Sequence, residues 1–204
     1  MKAARAPAPV APPAGRREEI LAVAARLFAD DGFDKATMRR IGKEAGIQPA
    51  SLYYHFETKE DLLDEIVRRF LSGLPARYAA LAARGGDPAK LLHDLVAFGF
   101  RASLENPAVM AIIIHERKLF AAEPRFAYVG KTLREVERIW LSALERGVAE
   151  GAFRRGLSLP LVLRMILDLA GSAVEWHRPG KGRYTVDEIV DAQIDFIFAG
   201  IRAG

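Results

Sequence analysis

The sequence predicts an all-α protein built from a small N-terminal group of helices and a larger C-terminal helical bundle. Three observations predict this fold class. Apolar residues recur at steps of three and four, an alternating strand pattern is nowhere sustained, and proline or glycine separates the apolar segments at helix-like intervals. With 204 residues, 50% of them hydrophobic, the chain is also long enough to bury a substantial core.

Residues 1–15 are predicted to be a disordered leader. Their Ala and Pro repeats cannot bury enough apolar surface to offset the entropy of ordering, and the prolines interrupt the apolar segment that a secretion signal needs. The longest apolar stretch, from Ala108 to Ile114, is far shorter than the roughly 18 residues that span a bilayer. We therefore expect a soluble, cytoplasmic protein.

Three short helices are predicted after the leader. The first is an amphipathic helix that begins near Glu18 and ends before Gly32. Thr37 is a candidate N-cap for the second helix, and Gly46 ends that helix as a left-handed cap. Pro49 occupies the first turn of the third helix, which is rich in aromatic residues.

The rest of the chain is predicted to form longer helices. Thr58 followed by Asp61 resembles a capping box that opens a helix continuing past Tyr78. Proline and glycine then divide the remaining sequence. The predicted helices cover residues 88–104, 107–121, 125–150, 159–177 and 186–202.

The composition excludes several classes of function. Without cysteine there is no disulfide framework, thiolate nucleophile or cysteine-ligated metal, and the four histidines lie far apart in sequence. Gly130-Lys131-Thr132 ends like a phosphate-binding loop, but Arg125 stands where that loop requires glycine. His115-Glu116 begins a zinc-protease motif whose second histidine is replaced by Leu119. We expect no enzyme, no metal site and no cofactor.

The segment from Lys35 to Lys59 combines positive charge with helix-turn-helix spacing. It holds five basic and two acidic side chains, a local excess of +3 within a chain of net charge +4. Two short helices joined by a tight turn at Ala45-Gly46-Ile47 allow the second helix to enter a DNA major groove while the first crosses the backbone. The segment therefore predicts binding to double-stranded DNA.

The same segment resembles the N-terminal domain of the TetR family of bacterial transcriptional repressors. The resemblance rests on the run TMRRIGKEAGIQPASLYYHF, residues 37–56, followed by Lys59 and Leu62. Two positions depart from the family pattern: Gly42 stands where alanine is usual, and Ala50 where glycine is usual. The resemblance implies a helix-turn-helix domain at residues 16–60 and a ligand-binding and dimerisation domain at residues 61–204.

By resemblance, nine residues face DNA. Arg39, Gln48, Ser51 and Tyr53 are candidates for base edges, whereas Thr37, Tyr54, His55 and Lys59 are candidates for phosphate contacts. Leu52 and Phe56 are expected in the core, and packing within the small domain is the alternative for the aromatic residues. The full predicted set is Thr37, Arg39, Gln48, Pro49, Ser51, Tyr53, Tyr54, His55 and Lys59.

The last helix carries a wide apolar stripe, which indicates a partner surface. Small residues in the preceding helix permit close helix approach, and the resemblance implies a homodimer formed by these last two helices. Ordinary packing within the chain is the alternative. The predicted interface residues are Gly171, Val190, Ile194, Ile197, Phe198 and Ile201.

The middle helices combine large apolar side chains with a few arginines, a composition suited to a small-molecule site. The runs from Arg125 to Tyr128 and from Glu175 to Gly180 are similar to a subgroup that controls steroid or fatty-acid breakdown and responds to acyl-CoA thioesters. We therefore predict a ligand-responsive repressor, with a ligand-independent architectural DNA-binding dimer as the alternative. The predicted ligand-binding residues are Phe98, Arg101, Ile113, Arg117, Phe126, Trp140, Arg164 and Trp176.

Overall fold

The computed structural model describes residues 15–177 and 183–203, without the side chains of Pro49, Glu175 and Trp176. Within these ranges the chain forms helices and no strand, and Phe153 and Arg202 make one isolated antiparallel bridge. The predicted all-α fold class is confirmed. The predicted leader lies outside the described residues, apart from Gly15.

The helices follow the predicted order. The N-terminal ones are α1 (Arg16–Asp31), α2 (Met38–Glu44), α3 (Pro49–His55), α4 (Lys59–Leu71) and α5 (Leu74–Ala82). The later ones are α6 (Pro88–Glu105), α7 (Pro107–His115), α8 (Arg117–Ala122), a 3-10 turn (Pro124–Phe126), α9 (Ala127–Ala149), α10 (Leu159–Trp176) and α11 (Val186–Ile201). No single helix in the described ranges is long and apolar enough to cross a membrane.

The helix ends in the N-terminal part follow from local sequence. Gly32 ends α1 with φ +85°, a conformation that favours glycine. The Thr37 side chain caps α2 by accepting a hydrogen bond from the Arg40 backbone N–H at 3.2 Å. Thr58 and Asp61 form the predicted capping box at the start of α4, since each side chain accepts from the other residue's backbone N–H.

The prediction of one long helix from Asp61 past Tyr78 is wrong. Helix α4 ends at Leu71, Gly73 adopts a left-handed conformation with φ +73°, and α5 begins at Leu74. Pro75 lies in the first turn of α5, where its missing N–H needs no partner. The glycine and the proline together interrupt an apolar pattern that is otherwise continuous.

The predicted helix over residues 107–121 is also divided. Helix α7 ends at His115 and α8 begins at Arg117, because Glu116 leaves helical geometry with φ −94° and ψ 24°. The sequence carries no glycine or proline at this position. The break therefore could not be predicted from helix-breaking residues.

The helices pack into two compact units, each with its own core. The N-terminal unit comprises the described part of Pro9–Ser72 together with Asn106–Gly130. The C-terminal unit comprises Gly73–Glu105 and the described part of Lys131–Gly204. These two units are defined by which residues pack together, whereas the predicted domains, residues 16–60 and 61–204, are defined by function. The division into functional domains stays a prediction.

Within the N-terminal unit, α1 packs against α2, α4 and α7. Its buried face consists of Ile20, Leu21, Ala24, Ala25, Leu27 and Phe28. Within the C-terminal unit, α6 packs against α5, α10 and α11. Tyr78 lies in that core with its ring 4.9 Å from the Phe98 ring and 5.8 Å from the Trp140 ring.

Candidate nucleic-acid interface

Helices α2 and α3 form a helix-turn-helix with a closed turn. Gly46 has φ +65°, and the Ile47 backbone N–H donates to the Gly42 carbonyl at 2.9 Å. Ile41 on α2 and Leu52 on α3 are both fully buried, so apolar contacts fix the two short helices in place. The predicted motif is present in the structure.

Burial on one side of α3 leaves its aromatic residues exposed on another. Leu52 and Phe56 are buried, as predicted, whereas Tyr54 is 87% exposed and Tyr53 is 54% exposed. The rings of Tyr54 and His55 meet edge to face at 5.5 Å. Large exposed aromatic side chains on a short helix indicate a contact surface rather than core packing. This observation favours the DNA-binding interpretation of these tyrosines.

The other predicted DNA-contacting residues lie on the same two helices or at their ends. Thr37, Arg39, Gln48 and Ser51 are exposed, and His55 is half-buried. Pro49 begins α3, but its side chain is outside the described set. The four exposed side chains are therefore available to a duplex.

The arginines of α2 differ in how they are used. Arg40 forms ion pairs with Asp31 at 2.8 Å and Glu44 at 3.2 Å, and Arg26 also pairs with Glu44 at 2.8 Å. Hydrogen bonds from Arg26, and then Arg40, hold the pKa of Glu44 below its ordinary value. Arg39 makes no ion pair with any described residue. Arg39 is therefore the α2 arginine whose charge remains available to DNA.

Lys59 is engaged with the turn between α1 and α2. Its Nζ donates to the Phe33 carbonyl at 2.7 Å and to the Asp34 carbonyl at 3.5 Å, and it lies 4.1 Å from the centre of the Phe33 ring. Two of its three ammonium protons are thereby used inside the protein. The contact between Lys59 and a DNA phosphate stays a prediction, and it would use the third ammonium proton. The structure adds that Lys59 fixes the turn between α1 and α2.

Arg17 connects three parts of the N-terminal unit, a role that the sequence did not indicate. Its guanidinium pairs with Glu65 on α4, donates to the His55 carbonyl at 2.9 Å and lies 4.1 Å from the centre of the Phe56 ring. Burial alone would raise the pKa of Glu65, but Arg17 and Arg69 outweigh burial, and the pKa lies below its ordinary value. Arg17 thus holds the end of α3 and is not a free phosphate contact.

The segment after α7 also contacts α4 within the N-terminal unit. Arg125 pairs with Asp61 at 2.7 Å, and the Tyr128 hydroxyl donates to the Asp64 carbonyl at 3.3 Å. Arg125, followed by Thr58, lowers the pKa of Asp61. This pair therefore stabilises the fold above the ordinary aspartate pKa of 3.8, and its contribution is lost as the pH falls through the lower folded-state pKa.

The predicted ligand-binding residues divide between the two units. Phe98 and Trp140 are buried together around Tyr78 in the C-terminal unit, and Ile113 and Phe126 are buried in the N-terminal unit. The side chain of Trp176 lies outside the described set. The structure thus brings Phe98 and Trp140 together around Tyr78, which is not among the predicted ligand-binding residues.

Of the predicted ligand-binding arginines, Arg117 and Arg164 are exposed and Arg101 is half-buried. Arg101 pairs with Asp187 at 2.6 Å, and Arg164 pairs with Asp168 at 3.0 Å. Arg164 is exposed, so it is not part of an enclosed core. Arg117 is exposed and forms no ion pair with the described residues.

The predicted dimer stripe needs correction. Val190, Ile194, Ile197, Phe198 and Ile201 are all buried within a single chain, where α11 packs against α6 and α10. These side chains already belong to the core, so packing within the chain explains the stripe. Gly171, on α10, is half-buried. The helical period identified the apolar face of α11 but not the element that covers it.

Other large apolar side chains of α10 and α11 are exposed. On α11 Phe196 is 72% exposed, and on α10 Met165 and Leu161 are 63% and 59% exposed. Exposed large apolar side chains on adjacent helices are typical of protein–protein contact surfaces. These three residues replace the buried stripe as the candidate dimer face.

A substitution at Gly42 tests the packing between α2 and α3. A Cβ at this position would lie 3.5 Å from the Ile47 carbonyl oxygen and 3.6 Å from Leu52 Cδ2, which are ordinary contact distances. Gly42→Ala should therefore raise the free energy of unfolding by about 0.5–1 kcal/mol, because alanine loses less backbone entropy in a helix. Urea denaturation followed by circular dichroism measures the change. Gly46→Ala, at φ +65°, is the control and should destabilise; a loss of stability in Gly42→Ala would contradict the described packing.

Comparison with known proteins identifies the family. The model of the bacterial regulatory proteins of the tetR family matches residues 20–66, and the tetracyclin repressor-like C-terminal domain matches residues 85–201. The HTH-type transcriptional repressor KstR2 of Rhodococcus jostii (strain RHA1) is 38% identical over 189 residues, which cover 93% of this chain and 92% of the relative. The chain belongs to the TetR family.

Solved TetR-family structures agree with the fold. The ketosteroid transcriptional regulator KstR2 of Mycobacterium tuberculosis superimposes with a TM-score of 0.88 at 34% identity, covering 95% of this chain and 98% of that one. AibR, solved in complex with isovaleryl coenzyme A and operator DNA, shares the fold with a TM-score of 0.75 at 21% identity, covering 90% and 98% of the two chains. The predicted TetR resemblance is confirmed.

Family membership assigns the general class of this protein. TetR-family proteins are DNA-binding transcriptional regulators rather than enzymes, and the curated relatives with the KstR2 name are transcriptional repressors. The candidate DNA-contacting residues, from Thr37 to Lys59, all lie within the segment that matches the TetR N-terminal domain. The candidate ligand and dimer residues lie within the segment that matches the C-terminal domain.

Proposed function

We propose that this TetR-family protein is a cytoplasmic repressor that binds a pseudo-palindromic operator as a homodimer and is released by an apolar effector carried as a CoA thioester. The observation that carries the operator part is the exposed surface formed by Arg39 on α2 and Tyr53 and Tyr54 on α3. Arg39 can donate two hydrogen bonds to a guanine edge, and the tyrosine hydroxyls can donate to phosphates or contact bases.

The dimer part of the proposal rests on the face formed by Leu161, Met165 and Phe196. A two-fold dimer would present two copies of α3 about one turn of DNA apart, roughly 34 Å. The operator would then consist of two inverted half-sites. The proposed face uses the last two helices of the chain, as predicted, but with different side chains.

The effector part is supported by the relatives and by the arginines. KstR2 of Mycobacterium tuberculosis is a ketosteroid transcriptional regulator, and AibR was solved with isovaleryl coenzyme A and operator DNA. In this chain Arg117 is exposed, and the ion pairs of Arg101 with Asp187 and of Arg164 with Asp168 are solvent-accessible and therefore weak. CoA phosphates can therefore compete for these arginines, while an acyl group requires an apolar site.

Arg39→Ala tests the operator part. The variant should bind its preferred DNA about 10- to 100-fold more weakly and lose preference at one base pair of each half-site, because a bidentate base contact is removed. Fluorescence anisotropy against the wild-type operator and its single-base variants measures both effects. Arg40→Ala is the matched control, since it removes the same charge from a side chain engaged with Asp31 and Glu44. Equal base preference in wild type and Arg39→Ala would contradict the assigned base contact.

A further inference from the structure

Glu116 makes a contact that neither the helix-turn-helix motif nor the proposed function explains. Its Oε1 accepts a hydrogen bond from the Phe33 backbone N–H at 2.8 Å. The two residues are 83 positions apart in the chain. Glu116 lies at the break between α7 and α8, whereas Phe33 lies in the turn that leads from α1 into α2. Both belong to the N-terminal unit.

The Phe33 N–H has few alternatives to this acceptor. Helix α1 ends when the Gly32 N–H bonds to the Phe28 carbonyl, so the next N–H lies beyond the helix. Phe33 is buried, with its ring 5.2 Å from the ring of Phe28. A buried backbone N–H without an acceptor is costly, because water cannot replace the lost partner. The Glu116 carboxylate removes this cost.

Glu116 and Lys59 each bind one backbone polar group of the same residue, Phe33. The carboxylate accepts from the Phe33 N–H, and the Lys59 ammonium donates to the Phe33 carbonyl at 2.7 Å. The turn therefore has both backbone groups of Phe33 fixed. Four residues later Thr37 caps α2, which carries Arg39. The position of α2 thus depends on how this turn is held.

We infer that Glu116 is a positioning residue for operator binding, although it lies outside the DNA-contacting helices. It acts through the Phe33 N–H on the turn that leads into α2, and it makes no contact with DNA itself. The inference rests on the proposed function and extends the operator-binding machinery to the α7–α8 junction.

Three substitutions of Glu116 distinguish its role in positioning the turn from the effect of its negative charge on DNA binding. Glu116→Ala removes the acceptor, and Glu116→Asp keeps the charge but shortens the side chain by one methylene. Glu116→Gln removes the charge but keeps a carbonyl acceptor of the same length. If charge alone mattered, loss of a carboxylate near a polyanion would strengthen binding, and only Glu116→Asp would resemble wild type.

We expect the opposite pattern. Glu116→Ala and Glu116→Asp should each weaken operator binding at least about tenfold, whereas Glu116→Gln should stay within about twofold of wild type. The slope of affinity against salt concentration should stay unchanged in all three, because no phosphate contact is lost. Glu123→Ala is the control, since it removes an exposed carboxylate from the same segment and should leave affinity unchanged.

Hydrogen exchange at the Phe33 amide provides a second readout that does not depend on DNA. Exchange should accelerate in Glu116→Ala and Glu116→Asp but not in Glu116→Gln or Glu123→Ala, while the amides of α4 keep their protection. The inference would be overturned, and the proposed function would stand, if Glu116→Asp and Glu116→Ala bound operator as tightly as wild type. The same would follow if Glu116→Gln lost as much operator affinity as Glu116→Ala. Failure of wild type to bind any operator would overturn the proposed function as well.

Discussion

Phe196→Asp should convert the proposed dimer to monomers and weaken operator binding by about 10²- to 10⁴-fold. Phe196 is the most exposed of the three apolar side chains on the α10–α11 face. Within the proposed interface, an aspartate at this position would lose its hydration without gaining a partner. Two linked recognition helices bind a two-site operator far more tightly than one, so loss of the dimer removes most of the affinity.

The matched control is Ser142→Asp. It adds the same charge at an exposed position of α9 in the same unit and should leave both dimer and operator binding intact. Ile194→Asp is unsuitable, because Ile194 is buried and a carboxylate there would disturb the core of a single chain. Sedimentation velocity, circular dichroism and fluorescence anisotropy give the mass, fold and affinity. If the Phe196→Asp variant remained a dimer, the interface would have to be formed by other residues.

A saturating acyl-CoA thioester should weaken operator binding by about 5- to 150-fold. An effector releases DNA only through different affinities for the DNA-bound and DNA-free conformations, and the coupling is reciprocal. The same thioester should therefore bind more weakly when operator is present. At 100 times its dissociation constant it should also stabilise the DNA-free protein by about 2.7 kcal/mol.

Thermal denaturation with a panel of thioesters identifies the acyl group, and free CoA and the free acids are the controls. If arginines bind the CoA phosphates while an apolar site binds the acyl group, neither half alone should reproduce the full stabilisation. Absence of stabilisation by every thioester in the panel would contradict the effector assignment. It would favour the alternative of a ligand-independent architectural dimer.

Local features of the fold could be predicted from the sequence because short-range chemistry determines them. Thr37 caps the start of α2, Gly46 follows its end in a left-handed conformation, and Thr58 with Asp61 opens α4, all as predicted. Each of these depends on residues within a few positions along the chain. The break at Gly73 is also local, but the apolar pattern on either side concealed it.

Long-range contacts could not be predicted in the same way. The hydrogen bond from Phe33 to Glu116 and the ion pair between Arg17 and Glu65 join residues 83 and 48 positions apart. Nothing in the composition or spacing of the sequence indicates either pairing. Similarly, the period of α11 identified an apolar face containing Ile194, but only packing shows that α6 and α10 cover it. Which helix covers an apolar face depends on tertiary packing, whereas the spacing of apolar residues along one helix is a local property of the sequence.

Selection of bound DNA from a random duplex pool, followed by affinity measurement, tests the central claim most directly. The selected sequences should share an inverted repeat with half-site centres about one helical turn apart. At physiological salt the dissociation constant should lie at about 10⁻⁸–10⁻¹¹ M, roughly 10³- to 10⁷-fold below that for random DNA. No enriched sequence, with equal affinity for selected and random duplexes, would contradict the assignment of a sequence-specific repressor.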